Sequence, residues 1–253
     1  MPVLERGGVE IFYEVQGDGP AVLLTHGFGA SARMWRRNAP EIAAAGYRVI
    51  TWDMRGHGRS GSPDDPARYS VEASVGDMEA VLDAAGVEQA VIGGMSLGGC
   101  MTLAHHLAHR TRATALLLID TGPGFKNEAA RETWNTSARA RGDAFLAQGA
   151  DALSGSPETR LQSQNFTGLR HAAYGMLTQS GPEMINSLPG IAVPALVIVG
   201  DRDEPFLAAS SYMAAKIPDA RKAVIADAGH AANVDQPEAF NAVVLDFLRE
   251  RVA

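Results

Sequence analysis

Apolar positions recur along this chain at two spacings, every second residue and every third or fourth, and the two patterns alternate in blocks. Residues 9–15 alternate at period two, as a strand near a sheet edge does, and Gly17-Asp18-Gly19-Pro20 turns the chain. Residues 20–25 are apolar on both faces, which predicts a strand buried on two sides. A helix is expected over 31–45 with Met34, Trp35 and Ile42 facing inward, then a second buried strand over 47–52 and a polar, glycine-rich loop over 53–62. Val71, Val75, Met78, Val81 and Leu82 recur at helical spacing over 70–85, and Gly86 is a natural stop. A short strand over 90–92, a helix through Met101, Leu103 and Leu107, and a strand over 112–120 follow. Strands separated by helices in this way predict an α/β protein with a parallel sheet.

The pattern changes between Thr121 and Gly190, where Gly122-Pro123-Gly124 and Gly181-Pro182 punctuate short amphipathic helices such as 128–141 and no strong strand is found. These residues are expected to form a helical lid. Strands return at 193–200 and 221–225, and Pro237–Arg251 closes the chain with an amphipathic helix carrying Phe240, Val243, Val244, Phe247 and Leu248. The expected division is therefore a core of residues 1–120 and 191–253, with 121–190 as lid or cap.

Composition narrows the setting. With 253 residues, 46% hydrophobic and 20% charged, the chain suits one domain with an insertion, and no apolar run approaches the ~18 residues of a membrane span. The first eight residues reach charge and glycine at once without the apolar stretch of a signal peptide, so a cytoplasmic location is expected. Cys100 is the single cysteine, and its place behind Ser96 suggests packing rather than chemistry. The net charge of −7 is spread without a basic block, which argues against nucleic acid and anionic membranes and leaves a small molecule as the expected partner. The histidines are too scattered for a metal site, and Gly93-Gly94-x-x-x-Gly98 fits no dinucleotide fingerprint. No cofactor is expected.

The chemistry centres on Gly94-Met95-Ser96-Leu97-Gly98, a serine on the turn between a buried strand and a helix. A Cβ at Gly94 or Gly98 would clash across so tight a corner, which is why the pattern reads G-x-S-x-G. The corner lifts the hydroxyl clear of the sheet, and the Leu97 N–H at the helix start points to where an oxyanion would form. A serine hydroxyl needs a base, and the base needs a third group to orient it. Of seven histidines, His230 lies in a loop after the last strand, where an imidazole can hang over the sheet edge. His105, His106 and His109 belong to the helix behind Ser96 and point away, while His57 and His171 suit structural or substrate-facing places. For the acid, Gly200-Asp201-Arg202-Asp203-Glu204 follows a buried strand. Asp203 is favoured, because the first aspartate of such a turn satisfies backbone N–H groups while a later one reaches across the edge. Asp120 is the rival, with capping of the turn at Thr121-Gly122 as its expected role.

The order Ser96, Asp203, His230, together with the parallel-sheet pattern, resembles the α/β-hydrolase superfamily along essentially the whole chain. The resemblance implies a mostly parallel eight-stranded sheet flanked by helices, with a helical lid inserted after strand 6. His26-Gly27-Phe28-Gly29 resembles that family's oxyanion loop, making the Phe28 N–H the second donor beside that of Leu97. Asp53-x-Arg55-Gly56-x-Gly58-x-Ser60 resembles its loop after the fourth strand, and Gly229-His230 with Gln236-Pro237-Glu238 its histidine loop. Haloalkane dehalogenases and epoxide hydrolases of this fold carry aspartate at the elbow. Ser96 directs acyl transfer instead.

The short chain, single lid and Gly-Met-Ser-Leu-Gly-Gly elbow are most similar to small carboxylesterases and 3-oxoadipate enol-lactonase-like hydrolases, which implies an ester or lactone substrate. Phe28, Trp134 and Tyr174 are the expected substrate contacts. Phe125, Phe166 and Met176 could join them, or build the lid's own core. Arg131, Arg139, Arg160 and Arg170 could face an anionic substrate, yet the lid's six basic residues are matched by six acidic ones, so its charge decides nothing. A carbon–carbon hydrolase of the meta-cleavage type uses the same three residues, although His-Gly-Phe-Gly-Ala lacks the glycine-proline that usually follows that group's His-Gly. A slow-turnover small-molecule receptor of the same fold is the alternative from another class. Both monomer and homodimer are compatible with the sequence.

Overall fold

The computed structural model describes residues 2–153 and 165–252. Eight strands, β1 (Val3–Arg6), β2 (Val9–Gln16), β3 (Ala21–Thr25), β4 (Arg48–Trp52), β5 (Ala90–Met95), β6 (Ala113–Ile119), β7 (Ala195–Gly200) and β8 (Ala220–Ile225), form one sheet in the order β1-β2-β4-β3-β5-β6-β7-β8. The pairs β1–β2 and β2–β4 are antiparallel, and the other five pairs are parallel. This is the α/β-hydrolase fold.

The α-helices are α1 (Ala39–Ala44), α2 (Val71–Ala84), α3 (Leu97–Ala108), α4 (Glu128–Gln148), α5 (Phe166–Ala172), α6 (Glu183–Ser187), α7 (Glu204–Lys216), α8 (Ala232–Asp235) and α9 (Pro237–Arg251). Successive residues of a strand face opposite sides, so β3 divides its apolar residues between two cores. Leu23 packs with Met78 and Leu82 of α2 and Met101 of α3. Val22 and Leu24 pack with Ile42 of α1 and Phe240 and Val244 of α9. Both faces being covered explains why β3, β5 and β7 are buried at every position. No described helix is long and apolar enough to cross a membrane.

Parallel register brings the strand ends together. Thr25 pairs with Gly94, Met95 with Ile119, and Gly200 with Ile225, so the loops that follow β3, β5, β7 and β8 rise from one edge of the sheet. The described part of the connection from β6 to β7 is mostly helical. In it, the α4 residue Trp134 donates its indole N–H to the Leu177 carbonyl at 2.8 Å, and Asn135 exchanges two hydrogen bonds with the Gln179 backbone at 3.0 and 2.8 Å. This part of the connection comprises α4, α5 and α6, a π-helical turn over 173–177, and 3₁₀ turns over 149–153 and 188–190.

The expected helix over 31–45 is interrupted. A 3₁₀ turn spans Ala32–Trp35 and α1 starts only at Ala39, because Pro40 has no N–H to return to residue 36 and its ring collides with that carbonyl. Asn38 fills the break, its side-chain amide donating to the Asn233 carbonyl at 3.2 Å and to Asn241 Oδ1 at 2.8 Å. The strand expected at the edge, β2, is covered by β1, which sequence reading passed over. The helix expected over 128–141 continues to Gln148, where Gly149 at φ +57° ends it. The expected lid residue Arg160 lies outside the described residues.

Candidate active site

Ser96 sits between β5 and α3 with φ +54° and ψ −113°, a backbone conformation that costs a non-glycine residue ~1–3 kcal/mol and persists only where its surroundings enforce it. They do so here through backbone contact. A Cβ at Gly94 would lie 2.3 Å from the Gly98 carbonyl carbon, and one at Gly98 would lie 2.3 Å from the Thr25 carbonyl oxygen. Ser96 N–H donates to Ile119 O at 2.9 Å, and Thr121 Oγ1 donates to Ser96 O at 2.7 Å. The elbow is thus pinned on both sides, with its hydroxyl directed away from the sheet.

His230 comes from the loop between β8 and α8. Its Nε2 lies 2.9 Å from Ser96 Oγ and its Nδ1 lies 2.9 Å from Asp203 Oδ2. Asp203 precedes α7 and is 3% exposed, whereas the imidazole is 36% exposed and so open to a ligand. Phe206, one turn into α7, stacks on the imidazole with ring centroids 4.8 Å apart. The Asp-x-x-Phe spacing carried that signal, and sequence reading passed over it. Asp201 accepts the Ala228 N–H at 3.2 Å, the backbone role expected of the first aspartate.

Asp120 does not cap its own turn. Fully buried, with φ +44°, it accepts the Gly200 N–H on Oδ1 at 2.8 Å and the Ala232 N–H on Oδ2 at 2.9 Å, tying the loop of Asp203 to the loop of His230. The physical reason is reach: both amides lie on neighbouring loops that end at the same sheet edge. Burial pushes its carboxyl up to about 7, and the two N–H groups act in the opposite direction.

Across the site, His26 Nε2 accepts the Met54 N–H at 2.9 Å, which puts the ring proton on Nδ1, donating to Gly27 O at 2.7 Å. Burial holds this imidazole below its ordinary pKa and hence neutral. Asp53 accepts the Ala32 N–H at 2.7 Å and the Arg59 N–H at 2.8 Å, joining the loop after β3 to the loop after β4. His57 is buried there and pushed down to about 3, chiefly by desolvation and then by His26. Neither the Phe28 nor the Leu97 N–H donates to another group among the described residues.

A cavity of about 520 Å³ opens over Ser96 and His230. Phe28 and Trp134 line it, as do Arg141, Phe145, Leu177 and Phe206, none of which sequence reading singled out as contacts. For the α4 residues the signal was helical spacing: 134, 138, 141 and 145 fall on one face of that helix. Tyr174 is not part of this lining. Its hydroxyl donates to Asp143 at 2.8 Å and its ring lies under the Arg170 guanidinium, a polar cluster that turns it away from Ser96. Phe125 packs on Trp134 and Phe166 on Phe145, and Met176 is buried in the core. His105 is held by Glu79 at 2.7 Å, away from the site.

A family model described as alpha/beta hydrolase fold matches residues 20–156. The chain belongs to that family. It is 29% identical to a Bacillus subtilis protein provisionally named 2-succinyl-6-hydroxy-2,4-cyclohexadiene-1-carboxylate synthase, covering 93% of this chain and 94% of that one. Among solved structures, an esterase from Thermogutta terrifontis superposes with a TM-score of 0.85 at 28% identity, covering 99% of this chain and 97% of its own. An enol-lactonase from Burkholderia xenovorans superposes at 0.80 and 27% identity, covering 98% and 100%. Family and neighbours support hydrolysis as the reaction class. A synthase, an esterase and a lactonase on one fold mean that membership alone does not choose the bond.

Proposed function

We propose that this protein is a serine hydrolase that cleaves a carboxylic ester or lactone of a small molecule through an acyl-enzyme intermediate. The observation that carries the reading is the hydrogen-bonded run from Asp203 through His230 to Ser96, both contacts at 2.9 Å. Asp203 is acceptor-only when ionised, so the imidazole proton sits on Nδ1 and Nε2 is left to take the serine proton. Ser96 Oγ attacks the carbonyl carbon, and the oxyanion settles against the N–H groups of Phe28 and Leu97. His230 then protonates the departing oxygen, and a water activated by the same imidazole releases the acid.

The cavity volume supports a small substrate, within the ~300–1,000 Å³ common for such sites. Residues 121–190 act as the lid in this reading, since α4 supplies one wall of the cavity. Phe28 and Trp134 give the acyl or leaving group its apolar contact.

Hydrolysis of p-nitrophenyl esters from acetate to octanoate, by wild type beside Ser96→Ala, tests the proposal. Repeated turnover that Ser96→Ala abolishes is the expected result, and the preferred chain length then sizes the cavity. Release of one equivalent or less by the wild type, with lactones equally inert, would overturn it in favour of carbon–carbon cleavage or a receptor.

A further inference from the structure

Two of the cationic residues that the lid's sequence offers are committed to ion pairs. Arg139 pairs with Glu132 at 2.8 Å and Arg170 with Asp143 at 2.8 Å. Asp143, the carboxylate nearest to residue 141 along α4, also receives the Tyr174 hydroxyl and is therefore taken. Arg141 alone of the α4 arginines lines the cavity over Ser96, and no group among the described residues pairs with it. The opposite wall carries Arg202, whose charge is offset by an ion pair with Asp227. The cavity's acid, Asp203, is already bonded to His230.

Arg141 is solvent-exposed, and it lines the cavity alongside Trp134, Phe145 and Leu177, where its guanidinium is open to a ligand. Its position on the helix is specific. Arg141 stands four residues before Phe145, whose ring centroid is 5.6 Å from that of Phe28, and seven after Trp134, so it faces the same space ~6 Å along the axis from the ring beside the elbow. A ligand acylating Ser96 and running along α4 would meet apolar rings first and a cation afterwards.

We infer that Arg141 is a specificity-determining residue that binds a carboxylate carried by the acyl part of the substrate, so that the preferred substrates are half-esters or lactones bearing a second, free carboxylate. This rests on the serine-hydrolase reading of the site. The guanidinium offers a fork of N–H donors that matches a carboxylate, whereas a neutral ester of the same length leaves it to water.

The test compares the mono-p-nitrophenyl ester of adipic acid with p-nitrophenyl heptanoate, which has nearly the same length and no charge. Wild type should favour the half-ester in kcat/KM, and Arg141→Ala should lower that preference by about ten- to a hundredfold through KM, as expected for a charge-assisted hydrogen bond. Arg141→Lys, which keeps the charge but loses the fork, should restore part of it. A preference ratio unchanged in Arg141→Ala overturns the inference, whether both esters slow together or neither does. A second arm does not depend on turnover: calorimetric binding of monomethyl adipate to Ser96→Ala should weaken about tenfold or more when Arg141→Ala is added, and equal binding overturns the inference. Should esters fail to turn over while this binding difference persists, the hydrolase reading falls and the carboxylate site stands.

Discussion

Asp120 Oδ2 accepts the N–H of Ala232 at 2.9 Å, two residues beyond His230. Its other oxygen holds Gly200, three residues before Asp203, so one buried carboxylate sets the spacing of the loops that carry acid and base.

That carboxyl, raised from 3.8 to about 7 by burial, keeps its proton in the folded chain over a range where the unfolded chain has released it. Folded Asp120 therefore binds more protons than unfolded between about pH 4 and 7, and its contribution to stability declines as pH rises through that window. Asp120→Asn should flatten the slope of Tm against pH between 4 and 7. The amide also presents N–H groups to one of the two backbone donors, and urea unfolding should show a loss of ~1–3 kcal/mol.

Asp203→Asn keeps the shape of the acid and can leave His230 in the wrong tautomer. A fall in kcat of ~10⁴ is expected with little change in Tm, measured on whichever p-nitrophenyl ester the wild type turns over fastest. A loss below tenfold would mean that Asp203 does not orient His230.

Gly98→Ala should damage the elbow by geometry alone, because the added carbon would lie 2.3 Å from Thr25 O and 2.7 Å from His26 O, both backbone atoms that cannot swing aside. Circular-dichroism melts should show a lower Tm together with lost activity. The control is Gly190→Ala, where the nearest atom is the Arg110 guanidinium at 3.7 Å and the expected change is within about 0.5 kcal/mol.

Arg55 and Asp77 form a buried bidentate pair with both contacts at 2.7 Å, 3% and 0% exposed. Arg55→Ala strands the aspartate, with only the more exposed Arg6 at 3.2 Å left to it. Unfolding free energy should drop by ~3–5 kcal/mol, and the double variant with Asp77→Leu should recover much of that loss.

Most of the strands and the family were legible along the chain because both are local signals: a strand buried on two faces must be apolar throughout, and a serine corner that tight excludes a Cβ on either side. Ser96, Asp203 and His230 could be nominated for the same reason, each following a recognisable strand. The break at Asn38 was less visible, since Pro40 is tolerated in a first helical turn and only the contacts of Asn38 with Asn233 and Asn241 fix where that turn begins. Contacts across the fold decided the rest. Asp120 reads as a turn cap in sequence because Gly200 and Ala232 lie 80 and 112 residues away, and Tyr174 reads as a ligand contact until Asp143 and Arg170 claim it. Arg141 is one of six basic residues in a charge-balanced segment, and composition ranks none of them. Only the packing of α4 over the sheet edge determines which arginines meet carboxylates and which one faces Ser96, because an ion pair depends on distance in space and not on position along the chain.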